Sequence, residues 1–138
     1  MTEFRALLLA AGKGTRLRPY TDQWPKCLMP IGNRPLLEYW LETLWESGIR
    51  DVLVNLHYLP SIVQGFLDRP RFKGWVHSVS ETELLGTAGT LQANADFFRG
   101  NTVLLVHADN WCQCQFSKFL EFHQHERPKG TLMTMMTF

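Results

Sequence analysis

The chain is 138 residues long, enough for one domain with a real hydrophobic core, and its 14 Lys and Arg against 13 Asp and Glu leave a net charge of +1. That balance excludes the broad cationic face of a nucleic-acid-binding or membrane-surface protein and leaves anion binding to local clusters. Three cysteines, Cys27, Cys112 and Cys114, form no disulfide framework, and Met1 is followed by polar Thr2-Glu3 and a seven-residue run, far short of the ~20 apolar residues of a membrane span, so a reducing cytoplasm without a signal peptide is the expectation.

The first predicted strand, Phe4 to Ala10, runs into Ala11-Gly12-Lys13-Gly14-Thr15-Arg16-Leu17 and then Pro25-Lys26-Cys27-Leu28-Met29-Pro30. Positive backbone φ at Gly12 and Gly14 would aim several N–H groups at phosphate oxygens, while Lys13, Arg16 and Lys26 bring charge, a combination suited to a triphosphate. Two better-known phosphate loops fail on spacing: the dinucleotide fingerprint would need a glycine where Leu17 stands and an acid where Asn55 stands, and the Walker pattern would need Gly-Lys followed by Ser or Thr. A helix from about Pro35 to Ser47 follows. It has Leu36, Leu37, Trp40, Leu41, Leu44 and Trp45 on a core-facing stripe, Glu38, Glu42 and Glu46 on the wet face, and Gly48 beyond its end. Further strands are expected over Asp51–Leu56, Trp75–Ser80, Thr102–His107 and Thr131–Phe138. Further helices are expected from Pro60-Ser61, from about Ala88 to Gly100, and from about Phe116 to Glu126.

This alternation predicts an α/β fold, a Rossmann-like three-layer αβα sandwich whose mainly parallel sheet is crossed by right-handed connections. Ligands in such sheets bind at the carboxyl ends of the strands, where Asp109 follows Val103-Leu104-Leu105-Val106 and is placed to ligate a hard divalent cation such as Mg²⁺. The other reading of Asp109 is a turn cap. His107, Cys112 and Cys114 carry zinc-type ligands but lack a second pair at the usual spacing, and His123 and His125, two residues apart on a predicted helix, do not share a face. A strand ending at Phe138 suggests a chain that continues, and its free edge could pair with a second copy.

The G-x-G-T-R-L segment with its downstream Pro-Lys, together with Leu85-Gly86-Thr87-Ala88-Gly89, resembles the sugar-1-phosphate nucleotidyltransferases, and Asn55-Leu56-His57-Tyr58-Leu59 and Met135-Met136-Thr137-Phe138 resemble the members acting on mannose 1-phosphate and GTP. The resemblance covers nearly the whole chain and the amino-terminal part of a family member, so it implies that residues 1–138 are a glycosyltransferase-A-like nucleotide-binding core. It further implies nucleotidyl transfer from a nucleoside triphosphate to a sugar 1-phosphate, with Mg²⁺ as cofactor and no nucleic-acid or membrane partner. Arg16, Lys26 and Asp109 would be the catalytic groups, with Asp109 on the metal. Leu9, Ala11, Gly12, Gly14, Thr15, Arg16 and Lys26 would contact the nucleotide from the first loop, and Glu81, Gly86 and Thr87 from the third. Ala108 stands where the family usually has glycine before its metal-binding Asp. By position Glu81 matches the side chain that reads the base edge in relatives, and a carboxylate suits the adjacent N1–H and N2 amine of guanine. Glu81 and Glu83 read equally well as a solvated acidic turn. Uridylyl or thymidylyl transfer, or a nucleotide-binding fragment or regulatory module without turnover, are the alternatives.

Overall fold

The computed structural model describes residues 3–137. Four strands, β1 (Phe4–Leu9), β4 (Val52–Leu56), β5 (Val76–Ser80) and β6 (Thr102–His107), form one parallel sheet in the order β5-β4-β1-β6. A small antiparallel hairpin of β2 (Pro30–Ile31) and β3 (Arg34–Pro35), turning at Gly32-Asn33, stands apart from it. Because β1 is central and covered on both faces, Ala6, Leu7 and Leu8 are all fully buried, which is why the strand reads as a continuous apolar run and not an alternation.

Helices α1 (Leu36–Glu46), α2 (Pro60–Leu67) and α5 (Phe116–Glu121) cover one face. There Leu37, Leu41, Leu44, Val63, Phe66, Phe116 and Leu120 pack with Ala6, Leu8, Val52, Val54 and Val106 of the sheet. The opposite face packs Leu7 and Leu53 against Phe98, with Leu91 and Phe97 alongside, from α3 (Gly86–Ala93) and α4 (Ala95–Phe98). The three layers expected from the alternation are present.

Several local expectations change. The helix expected from Ala88 to Gly100 starts at Gly86 and breaks at Asn94, whose side-chain amide donates to the Thr90 carbonyl (2.8 Å) and ends the first segment before α4 restarts. Beyond α5 the helix widens into a π-helical turn over Phe122–Glu126. Trp40 is core, but Trp45 is 45% exposed and lies between the Trp75 ring (4.9 Å) and the Arg50 guanidinium (3.8 Å). The strand expected over Thr131–Phe138 does not form across residues 131–137, and Phe138 lies outside the described residues. Among those residues no backbone ladder is offered to it, Leu132 is 91% exposed, and only Met136 rests on the core, so β-propensity there finds neither partner nor apolar cover. Among the described residues no helix is long and apolar enough to cross a membrane.

Candidate active site

At the carboxyl ends of the parallel strands lies an open cavity of about 210 Å³. Leu9, Ala10, Ala11 and Gly12 line it where the chain leaves β1, and Lys26 and Cys27 where the glycine-rich loop returns. Asn55 reaches it from β4, Glu81, Leu84, Gly86 and Thr87 from the β5–α3 loop, and His107 and Asp109 from the end of β6. A larger depression of about 570 Å³ between α1 and residues 111–115 is lined by Tyr39, Trp40 and Trp111 and holds none of the phosphate-binding motif.

The glycine-rich loop is held by a short chain of hydrogen bonds. Buried Thr21 donates its hydroxyl to the Gly14 carbonyl (2.7 Å), and the Tyr58 hydroxyl donates to the Thr21 carbonyl (2.7 Å). Gly14 has φ 63°, and a Cβ there would lie 2.9 Å from Thr21 Cγ2 and 3.0 Å from Lys26 Cβ. Glycine at 14 therefore lets the loop fold back so that Lys26 meets the cavity. Gly12 differs from expectation: its φ is not positive and a Cβ would meet nothing within 4 Å, since it borders open cavity.

Lys26 Nζ donates to Asp109 Oδ2 at 2.8 Å, joining residues 83 positions apart at the cavity mouth, with the Asp109 side chain 40% exposed. Cys27 lies buried beside them, and burial pushes its thiol up to about 12, so it is no nucleophile at neutral pH. Glu81 is only 8% exposed, whereas Glu83 is exposed, so the acidic turn divides. Glu81 Oε1 accepts from the Asn55 amide (3.1 Å) and from the Thr90 hydroxyl, and Oε2 accepts from the Leu85 backbone N–H (3.3 Å). Asn55 Oδ1 in turn accepts from the Ala10 N–H (2.7 Å).

Asp109 presents a hard, half-exposed oxygen, and among the described residues no three His, Cys, Asp or Glu side chains are grouped to cage an ion. One open carboxylate beside a phosphate-sized cavity fits Mg²⁺, which takes one or two protein carboxylates and completes its shell with substrate oxygens and water. Among the described residues His107, Cys112 and Cys114 likewise form no such group.

The structure thus brings Leu9, Ala11, Gly12, Lys26, Glu81, Gly86, Thr87 and Asp109 to one cavity, while Gly14, Thr15 and Arg16 lie outside its lining, the last two exposed on the turn Thr15–Leu17. Sequence reasoning missed Ala10, Cys27, Asn55, Leu84 and His107 as lining residues. Asn55 carried a usable signal: an amide closing a strand of Val and Leu that is buried on both faces needs internal partners.

A family model described as nucleotidyl transferase matches residues 5–138. The mannose-1-phosphate guanyltransferase of Saccharomyces cerevisiae is 32% identical over 133 residues, which is 94% of this chain but 37% of the yeast protein, so the chain spans little more than a third of that relative's length. Among solved structures, HddC from Yersinia pseudotuberculosis complexed with GMP-PN is 25% identical with a TM-score of 0.75, covering 91% of this chain and 55% of that one. A putative glucose-1-phosphate thymidylyltransferase from Bacillus anthracis, 22% identical with a TM-score of 0.81 over 90% of this chain and 51% of that one, shares the fold.

Proposed function

Because this chain belongs to the nucleotidyl transferase family, we propose that residues 1–138 are the nucleotide-binding core of a sugar-1-phosphate nucleotidyltransferase that uses GTP and mannose 1-phosphate and releases pyrophosphate. The observation that carries this reading is the meeting of Lys26 and Asp109 beside the glycine-rich loop at the carboxyl ends of β1 and β6. The choice of GTP and mannose 1-phosphate is supported by the yeast mannose-1-phosphate guanyltransferase, and the choice of a guanine nucleotide also by HddC, whose structure is a complex with GMP-PN.

In this reading a sugar-phosphate oxygen attacks the α-phosphorus and the bond to pyrophosphate breaks. The nucleophile is already an anion and needs no general base, and the cavity's buried thiol offers none. The work left to the protein is alignment and charge neutralisation. Ala11 and Gly12 bring backbone close to the phosphates, Lys26 holds the α-phosphate, and Leu9, Gly86 and Thr87 bound the nucleoside. Gly14 and Thr15 shape the loop from which Arg16 reaches the departing pyrophosphate across the open side. Asp109 would hold Mg²⁺, which when bound offsets charge on the phosphate oxygens.

Titration calorimetry of the chain with GTP, UTP, dTTP, CTP and ATP, each with and without Mg²⁺, tests this. The expected result is GTP binding that Mg²⁺ strengthens. Preference for another base moves the substrate and keeps the reaction class, and a folded chain that binds no triphosphate overturns the reading.

A further inference from the structure

The buried carboxylate of Glu81 is where four segments of the cavity wall meet. Through Asn55 it is linked to Ala10 at the exit of β1, it closes β5 itself, and it receives the Leu85 N–H and the Thr90 hydroxyl from the start and middle of α3. Asn55 is 4% exposed and Thr90 fully buried. The orientation of the Asn55 amide follows from its neighbours, since only its oxygen can accept from the Ala10 N–H and only its NH₂ can donate to the carboxylate. The backbone of Glu81 is fixed as well: its N–H donates to the Leu56 carbonyl (2.7 Å) and its carbonyl accepts from His57 Nδ1 (2.8 Å).

Ala10, Ala11 and Gly12 line the cavity from the exit of β1, and Leu84, Gly86 and Thr87 line it from the β5–α3 loop. Asn55 and Glu81 bridge the two. We propose that Asn55 and Glu81 are positioning residues, a buried clamp that sets the gap between the phosphate-binding loop and the base-side loop, and that the choice of base is made by the backbone and side chains this clamp places and not by hydrogen bonds from Glu81 to the base. The proposal rests on the nucleotide-binding reading above and changes the part Glu81 plays in it. Both carboxylate oxygens already have protein partners, so turning either toward a base would take the acceptor from the part-buried Leu85 N–H or leave the buried Asn55 amide with only its longer contact to the Thr90 hydroxyl (3.4 Å), a loss of the kind that offsets what an exposed hydrogen bond returns.

The test is a reciprocal pair of substitutions. Glu81→Gln sets an amide donor against either the Asn55 amide or the Leu85 N–H, and Asn55→Asp sets two buried carboxylates side by side. Made together, they restore every partner: the new carboxylate at 55 accepts from Ala10 and from the new amide at 81, whose carbonyl accepts from Leu85, and the Thr90 hydroxyl donates back toward position 55. Affinities for GTP and UTP are measured by calorimetry well below the melting temperature of each variant, with protection of the Ala10 and Leu85 N–H groups followed by hydrogen exchange. Each single variant is expected to weaken both triphosphates by the same factor, about tenfold or more. The double variant is expected to recover to within about threefold of the parent and to regain protection at both amides. A shift of preference from GTP toward UTP in Glu81→Gln, or a double variant that fails to fold or binds no better than the singles, overturns the clamp. If the parent chain binds no triphosphate, the functional reading fails by itself, and the exchange data still decide whether Asn55 and Glu81 act as a unit.

Discussion

The two glycines of the phosphate loop give opposite outcomes when a methyl group is added. Gly14→Ala places a side chain at φ 63°, which costs roughly 1–2 kcal/mol for a residue other than glycine. The new Cβ would also sit 2.9 Å from Thr21 Cγ2 and 3.0 Å from Lys26 Cβ. Neither neighbour yields easily: Thr21 is buried and tied through its hydroxyl to the Gly14 carbonyl, and a Cβ moves only with its backbone. Overpacking of this kind adds roughly 1–3 kcal/mol, so a total near 2–5 kcal/mol is expected. For a chain of this length each kcal/mol lowers Tm by roughly 3–4 °C, giving a fall of about 6–20 °C in a thermal melt followed by circular dichroism. Gly12→Ala meets nothing within 4 Å and has no left-handed backbone to maintain, so its Tm should stay within about 2 °C of the parent. Its methyl group enters the cavity where phosphate would lie, and triphosphate affinity should fall about tenfold. Equal losses of Tm in the two variants, or unchanged binding in Gly12→Ala, would refute the division of labour between a folding glycine and a binding glycine.

Lys26→Ala removes a partly exposed ion pair, so Tm should drop by less than about 4 °C; in a complete enzyme turnover should fall by about two orders of magnitude or more, and normal turnover would remove Lys26 from the chemistry. Burial pushes Cys27 up to about 12, and burial together with the neighbouring Cys112 pushes Cys114 up to about 11. In the folded chain iodoacetamide at pH 8 should therefore leave both unmodified over minutes, with thiolate fractions of about one in ten thousand and one in a thousand, whereas urea-unfolded protein should label fully. Burial, aided by Arg127, holds the His123 imidazole below its ordinary 6.5. A base depressed on folding contributes stability that is whole above the unfolded value and is lost as pH falls through the lower folded value, so denaturant midpoints should decline on acidification below 6.5 and decline less in His123→Gln.

What the sequence disclosed divides along local and non-local lines. The parallel sheet was legible because β1, β4 and β6 are apolar runs separated by helical patterns, and α1 because its leucines recur at helical spacing. Lys26 and Asp109 could be named from motif and strand end, but their contact across 83 positions depends on β1 and β6 lying side by side. Asn55 was read as a missing acid and as the start of the family-like segment Asn55–Leu59, since nothing local tells that its amide spans from Ala10 to Glu81. Trp45 matched the apolar stripe of α1 but sits at its edge, where Arg50 and Trp75 cover it in part. The segment 131–137 has the composition of a strand, and composition supplies no partner.

The charge balance of the cavity bears on the place of Arg16. Lys26 and Asp109 neutralise each other at 2.8 Å, and Glu81 is enclosed by its own hydrogen-bond donors, so the wall as it stands offers a triphosphate backbone N–H groups but little net positive charge. A nucleotide carrying several negative charges would therefore draw on cations that are exposed and outside the lining, and Lys13 and Arg16, on the same loop as Gly12, are the ones the chain places nearest in sequence. Their exposure follows from this requirement: a guanidinium held against Asp109 in the resting site would have to exchange partners before it could meet a phosphate, whereas one left in solvent gives up only water and counterions. The salt dependence of GTP binding should then be carried mainly by the loop. Arg16→Gln should weaken binding at 50 mM salt and flatten its dependence on ionic strength, and an unchanged slope would mean that Arg16 takes no part and that Lys13, or Lys26 released from Asp109, supplies the attraction.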